Sequence, residues 1–277
     1  MDKEQQSILR TLGVANNFEV PVEVRRRADF LRDYLCEASY RKFVLAISGG
    51  VDLLAAGLLA QAAVSELWAD GYNTQFIVVR FPYGEQADEI DAQKSLGVIG
   101  PDRVVTVEIK PAADTTVEAV MAQGEDLVEP ARKHFHVGSI KARQRMIAEY
   151  ALAGSTGGLV IGTGHAPEAL VGYFTKFGDG AADILPLAGL TKRRVRSIPE
   201  HWGAPSELVF NVPTADLGSD APLHPDEEVY GVSYEDIENF LEGKPVAEPT
   251  RQRILKTYRT SGRQRALPVM PTDRIAG

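Results

Sequence analysis

An apolar run from Phe43 to Ile47 leads into Ser48-Gly49-Gly50-Val51-Asp52, an order of residue types suited to one kind of chemistry. With a strand ending at Ile47 and a helix beginning near Val51, successive backbone N–H groups and the positive end of a helix dipole converge on one point. That is an anion site by geometry. Bare glycines let a phosphate approach the backbone, Ser48 offers a hydroxyl, and Asp52 in the first helical turn suits Mg²⁺ held against phosphate oxygens. The same residues also describe a plain strand-to-helix turn in which Asp52 complements the dipole, so other segments have to decide. Leu53 stands where a closing hydroxyl would complete a phosphate grip.

The other chemical side chains are individually ambiguous. On their own, Glu168 and Asp179 read more readily as solvated surface acids than as site acids, and Lys192-Arg193-Arg194 as a solvated basic face. The five histidines, His134, His136, His165, His201 and His224, show no zinc-type spacing. Tyr173, Phe174 and Phe177 suit core packing, and Phe135 suits either stacking on a ring or burial.

The elements that must position these residues alternate short apolar runs with helical patterns, the signature of βαβ units around a parallel sheet. Strands are expected at Phe43 to Ile47, Phe76 to Val79, Val104 to Ile109 and Leu159 to Ile161. Helices are expected at Val24 to Ala38, with Val24, Phe30, Leu31 and Leu35 on one side, and at Leu53 to Leu67, Ala87 to Ser95 and Ser139 to Ala153. Beyond Leu185 the pattern loosens to helices at Thr191 to Ile198 and Tyr234 to Phe240. Between them the Gly/Asp/Pro-rich stretch from Pro213 to Pro225 reads as a mobile loop. No repeat, low-complexity tract or Ser/Gly linker breaks the chain, so 277 residues with 44% apolar content are expected to form a single domain spanning 1–277.

A net charge of −8 argues against nucleic acid or an anionic membrane as partner. The lone Cys36 excludes an intrachain disulfide framework. The charged start MDKEQQSILRTLG is unlike a secretory signal, and no apolar run approaches the ~20 residues of a membrane span. A cytoplasmic protein with small-molecule partners is the expectation.

Five further segments break the ambiguity. SGGVD is followed in order by VVRFPYGEQADE, KARQRM, GTGHAPEALVGYFTKFGDGAAD, LTKRR and VPTADL, and a chain carrying them in this order resembles the ammonia-dependent NAD synthetase family over most of its length. The resemblance implies an N-type ATP pyrophosphatase that adenylates the nicotinate carboxylate of deamido-NAD, releases pyrophosphate and lets ammonia displace AMP. It implies a doubly wound parallel α/β sheet flanked by helices, like that of adenine nucleotide alpha hydrolases, and a homodimer whose interface helps bind the dinucleotide. Carried over by position, Ser48, Gly49 and Gly50 would cradle the pyrophosphate end of ATP, and Asp52, Glu168, Asp179 and Thr214 would serve the Mg²⁺ ions. Lys192 would contact phosphate, Arg80, Gln86 and Arg145 the nucleotide, and Phe135, Arg143 and Asp183 the dinucleotide substrate. Asp183 would also bind ammonium and take part in its deprotonation.

Some positions depart from the family's pattern. Leu53 replaces a serine, Gly164 an aspartate, Ser139 an asparagine, His134 an acid and Asn211 a lysine, while Arg263-Gln264 stands for a His-Lys pair. These departures leave open an amide-forming paralogue acting on another carboxylate or amine, or a decayed nucleotide-binding module. Retention of Asp52, Glu168, Asp179, Lys192 and Thr214 favours an enzyme. Cys36 sits in a helical pattern and no glutaminase is visible, so free ammonia or a separate donor would supply the nitrogen.

Overall fold

The computed structural model describes residues 2–84, 89–124, 133–210, 214–215, 224–225 and 231–271, with backbone alone at 133–134, 214–215 and 224–225. In chain order the elements are α1 (Lys3–Thr11), α2 (Val20–Glu37), β1 (Lys42–Ala46), α3 (Val51–Ala69), β2 (Gln75–Arg80), α4 (Glu89–Ile99), β3 (Arg103–Thr106), α5 (Lys110–Met121), α6 (Lys133–Thr156) and β4 (Gly158–Val160). There follow α7 (Ala166–Val171), α8 (Lys192–His201), α9 (Ser206–Val209), β5 (Thr214–Ala215), β6 (His224–Pro225), α10 (Tyr234–Leu241), α11 (Glu248–Thr260) and α12 (Gly262–Arg265).

The expected parallel sheet is present, with strands ordered β3-β2-β1-β4. Phe43 lies opposite Phe76 on one side and Leu159 on the other, so a period of two sends alternate residues of β1 to opposite faces. Phe43, Leu45 and Ile47 join α2, α3, α8 and α9 in the main core. Val44 faces the other way with Ile77, Val79, Phe81, Ile109, Ala153 and Val160, beneath α5 and α6. Helices on both faces make the sheet doubly wound. A third cluster packs Ile8, Leu9, Leu170, Ile237, Phe240, Ile254 and Leu255, from α1, α7, α10 and α11.

Strand order reverses beside β1, because the chain winds from β1 through β2 to β3 and then returns to β4 on β1's other side. At such a point the loops leaving the two central strands diverge and a crevice opens at their carboxyl ends. Ser48–Gly50 follows β1 and Gly162–His165 follows β4, so the topology brings both segments to one crevice. Helix α3 is the one described helix long and apolar enough to cross a bilayer. It lies within the main core, with Leu54, Ala55, Ala56, Leu59, Ala60 and Ala63 all inaccessible.

Details differ from expectation for local reasons. Helix α2 begins at Val20 rather than Val24, and its buried stripe is Val24, Arg27, Ala28, Leu31 and Leu35, while Phe30 stays 46% exposed because at 3.6 residues per turn it lies about 120° round the helix from the centre of that stripe. Strand β3 ends at Thr106 instead of Ile109, although Val107 and Ile109 still donate backbone bonds to Arg80 and Pro82. Helices α1, α5, α7, α9, α11 and α12 are found only in the structure. In the Pro213 to Pro225 stretch, Thr214–Ala215 pairs antiparallel with His224–Pro225; the rest of that stretch lies outside the described residues.

Candidate active site

Helix α3 starts at Gly50, which caps it with extended backbone (φ −77°, ψ 146°) and no side-chain hydrogen bond. The first-turn N–H groups have no intrahelical acceptor, so they face the crevice as anion donors. A Cβ placed on Gly50 would meet nothing closer than Ser48 Oγ at 3.9 Å. The fold therefore does not require a glycine here, and its bareness leaves room for a ligand against the backbone. Leu53 is half-buried and packs against the main core.

Four side chains converge at this turn. Lys192, the first residue of α8, donates from Nζ to Asp52 Oδ2 at 2.6 Å. It arrives because Thr191 caps α8 by accepting from Arg194 N–H at 3.4 Å, and because Ala166 N–H donates to Leu190 just before α8 at 2.9 Å. Arg27 secures the same approach from α2, bridging Glu23 (3.0 Å) to the carbonyls of Pro186 and Ala188. His165 caps α7 with Glu168 three residues on; Nδ1 accepts Glu168 N–H at 3.5 Å while Glu168 Oε2 accepts His165 N–H at 3.2 Å. With Nδ1 acting as acceptor, the proton of a neutral ring sits on Nε2, which stands 3.4 Å from Asp52 Oδ1.

The electrostatics sort these groups. Burial pushes His165 down to about 4, so it is neutral. Burial alone would raise Asp52, but the Lys192 ammonium and the neighbouring His165 hold it below the usual carboxylate range. Glu168 keeps 27% of its side chain exposed, yet that exposure is to a protein-walled crevice. Desolvation there, followed by the charges of Asp52 and, more weakly, Asp179, pushes Glu168 up to about 8.

The predicted metal acids Asp52 and Glu168 are thus brought together, with Asp179 in electrostatic reach. Asp179 Oδ1 accepts Thr175 N–H at 2.8 Å within the tight turn that carries it. Oxygen or nitrogen atoms of Asp52, His165 and Glu168 all lie within 4.8 Å of one another, and Asp52 Oδ1 is buried with no hydrogen-bond partner. An unsatisfied carboxylate oxygen beside a second carboxylate fits a hard divalent cation.

The other predicted residues are more dispersed. Arg80 ends β2 and is held bidentately by Glu89, one contact at 2.8 Å. Arg145 donates to the Phe81 carbonyl (3.2 Å) and Arg143 to the Lys176 carbonyl (3.2 Å), so two arginines two positions apart on α6 face different segments. Phe135 is 49% exposed on α6, its ring edge-on to His136 at 5.9 Å. Asp183 is exposed; one oxygen accepts Val160 N–H at 2.7 Å and the other lies 3.5 Å from the Tyr150 hydroxyl. Gln86 and Asn211 lie outside the described residues, as do the side chains of Thr214 and His134. Two buried groups escape sequence reasoning. His165 is one, and its only local signal is the His-x-x-Glu spacing of a capping box. Glu149 is the other.

A bare strand-to-helix turn facing two acids, a histidine and a lysine, at the switch point of a doubly wound sheet, defines an α/β protein built to hold a nucleotide's phosphates. Comparison with known sequences narrows the class: the sequence model of the NAD synthase family matches residues 23–266, and the chain belongs to that family. It is 52% identical over 269 residues to the NH(3)-dependent NAD(+) synthetase of Burkholderia cenocepacia (strain HI2424), covering 97% of this chain and 95% of the relative. Among solved structures, NAD+ synthetase from Burkholderia pseudomallei superposes with a TM-score of 0.83 at 47% identity, covering 96% of this chain and 97% of that one. NMN synthetase from Francisella tularensis does so with a TM-score of 0.78 at 29% identity, covering 92% and 99%.

Proposed function

We propose that this ligase is an ammonia-dependent NAD+ synthetase that uses ATP to adenylate the nicotinate carboxylate of deamido-NAD and then lets ammonia displace AMP. The observation that carries this reading is the convergence of Asp52, His165, Glu168 and Lys192 on the bare Ser48–Gly50 turn, in a chain with close relatives of that activity.

Attack of a carboxylate on the α-phosphorus brings negative charge against negative charge, and further charge develops on the departing pyrophosphate. The Ser48–Gly50 amides, the amino end of α3 and the Lys192 ammonium are fixed in advance where that charge grows, so they stabilise it without reorganising. Asp52 and Glu168, joined by Asp179 and, by the family's pattern, Thr214, would hold Mg²⁺, whose positive charge offsets that of the phosphates when it is bound. His165 holds the Glu168 carboxylate through its backbone N–H in the cap of α7 and sets its Nε2 3.4 Å from Asp52 Oδ1. Arg145 and Arg80, by the family's pattern, would contact the nucleotide. Ammonium has no lone pair, and the exposed Asp183 can bind it and accept its proton as ammonia attacks. Phe135 and Arg143 lie on the outer part of α6, where a dinucleotide shared across a homodimer would be gripped. Exposed Ile147 on the same helix and Val120 on α5 supply apolar surface for that partner copy.

Incubation of the purified protein with ATP, Mg²⁺, ammonium and deamido-NAD should yield NAD+, AMP and pyrophosphate in equal amounts. Because the fold is shared with an NMN synthetase, nicotinate mononucleotide is the informative competing acceptor. Faster amidation of the mononucleotide, or pyrophosphate release only with an unrelated acid, would overturn the assignment.

A further inference from the structure

Glu149 is among the buried acids that the chemistry above leaves unused. Glu149 on α6 is 8% exposed, and its Oε1 accepts Ala46 N–H at 2.8 Å. Ala46 is the last residue of β1, two positions before Ser48. The ladder between β1 and β4 pairs Lys42 with Gly158, Phe43 with Leu159 and Val44 with Val160, then stops. Ile161 N–H still donates to the Val44 carbonyl at 2.9 Å. A regular parallel ladder would next set Ala46 N–H against the Ile161 carbonyl. Instead β4's continuation bridges to Ile184 on its far side, with Gly162 N–H donating to the Ile184 carbonyl at 2.9 Å. The strands separate here, and that separation is the root of the crevice.

We propose that Glu149 is a positioning residue of the reaction: its carboxyl replaces the missing rung between β1 and β4, and so fixes the distance between the Ser48–Gly50 turn and the Gly162–His165 segment. A buried N–H left without an acceptor is costly, and a helix side chain that supplies one at the point of divergence makes the open crevice a stable conformation. The rung needs only an acceptor, not a charge. Burial, with the Asp183 carboxylate adding to it, pushes Glu149 up to about 8, so at neutral pH it serves as a neutral acid. The charged and titratable groups facing it are Asp183 and Tyr150, the latter pushed up to about 12 chiefly by burial. Ionised Glu149 would set a second negative charge beside Asp183 and loosen the same wall.

This inference rests on the proposed activity, and the wild-type enzyme separates the two. If wild type forms no NAD+, the activity assignment fails, while calorimetric ATP–Mg²⁺ binding still reports the turn. With wild type active, Glu149→Gln keeps an acceptor of the same shape and Glu149→Leu removes it at similar volume. At pH 7, E149Q should retain NAD+ formation within about twofold, whereas E149L should lose roughly tenfold or more in kcat/KM for ATP and bind ATP more weakly. The ratio of E149Q to wild-type activity should rise between pH 7 and 9, as Glu149 ionises in the wild type only. Wild-type kinetics in E149L, or an E149Q as impaired as E149L, would overturn the proposal. Should E149L fail to fold, a ratio of E149Q to wild type that is flat with pH overturns it alone.

Discussion

Replacing Lys192 by methionine tests whether the lysine acts on substrate or only balances Asp52. Its ammonium lies 2.6 Å from Asp52 Oδ2, with 4% of the Lys192 side chain and 17% of the Asp52 side chain exposed. Breaking a buried pair by removing one partner leaves an uncompensated charge, at ~3–5 kcal/mol. Since Asp52 retains some access to the crevice, the lower end applies, about 3 kcal/mol. For a chain of this size that corresponds to a fall in Tm of roughly 6–12 °C. The companion variant Asp52→Asn removes the orphaned charge, so the double variant should recover most of the stability lost by Lys192→Met. Turnover should behave differently. Losing a preorganised cation at the departing pyrophosphate costs ~10²–10³ in kcat, and the double variant should recover none of it. Calorimetric melting of the four proteins, with pyrophosphate release measured in parallel, closes the cycle. A Lys192→Met enzyme that melts early yet releases pyrophosphate at the wild-type rate would refute the assignment, because the lysine would then be only a counter-ion.

Leu53→Ser tests the altered phosphate loop: as Leu53 packs against the main core, the variant should lose about 1–2 kcal/mol in denaturant unfolding, with less than a twofold gain in turnover. A tenfold gain would show that the position addresses phosphate after all. Glu149→Gln also carries a stability signature. The folded pKa of Glu149, about 8, exceeds the ordinary carboxyl value of 4.5, so its own contribution to wild-type stability is fully present below pH 4.5 and is lost as pH rises towards 8. Relative to wild type the glutamine variant should therefore gain stability between pH 4.5 and 8, by up to several kcal/mol at ~1.4 kcal/mol per pKa unit; pH-dependent urea titrations with constant difference would contradict it. Gly189→Ala should destabilise by several kcal/mol or prevent folding, since Gly189 has φ +78° and an added Cβ would lie 2.3 Å from the Gly13 carbonyl oxygen. A Tm within a degree or two of wild type would exclude that contact.

Legibility followed how locally each feature is encoded. The Ser48–Asp52 turn could be read because strand, glycines and helix start are contiguous, and β1, β2 and β4 because their apolar runs are short and bounded by turn residues. The Phe30 misplacement shows the limit of this: a helix can be right while a residue one position off the stripe is assigned to the wrong face. Helix α5 went unread because Pro111 and the Thr115-Thr116-Val117 run disguise its period.

By itself the sequence determined a parallel α/β sheet from its alternating runs and, through ordered motifs, the family, whose resemblance implies the doubly wound arrangement; it also marked the Ser48–Gly50 turn as a candidate anion site. Each of these depends on the order of residues along the chain. Only the tertiary structure decided that Lys192 meets Asp52 across 140 positions, that a lone histidine without metal-ligand spacing joins the two acids, and that Glu149 fills a gap in the sheet. The physical reason is common to all three. Strand order reverses beside β1, and the divergence of chains there creates both the crevice and the unsatisfied backbone and side-chain groups that line it, a consequence of topology that no local pattern records.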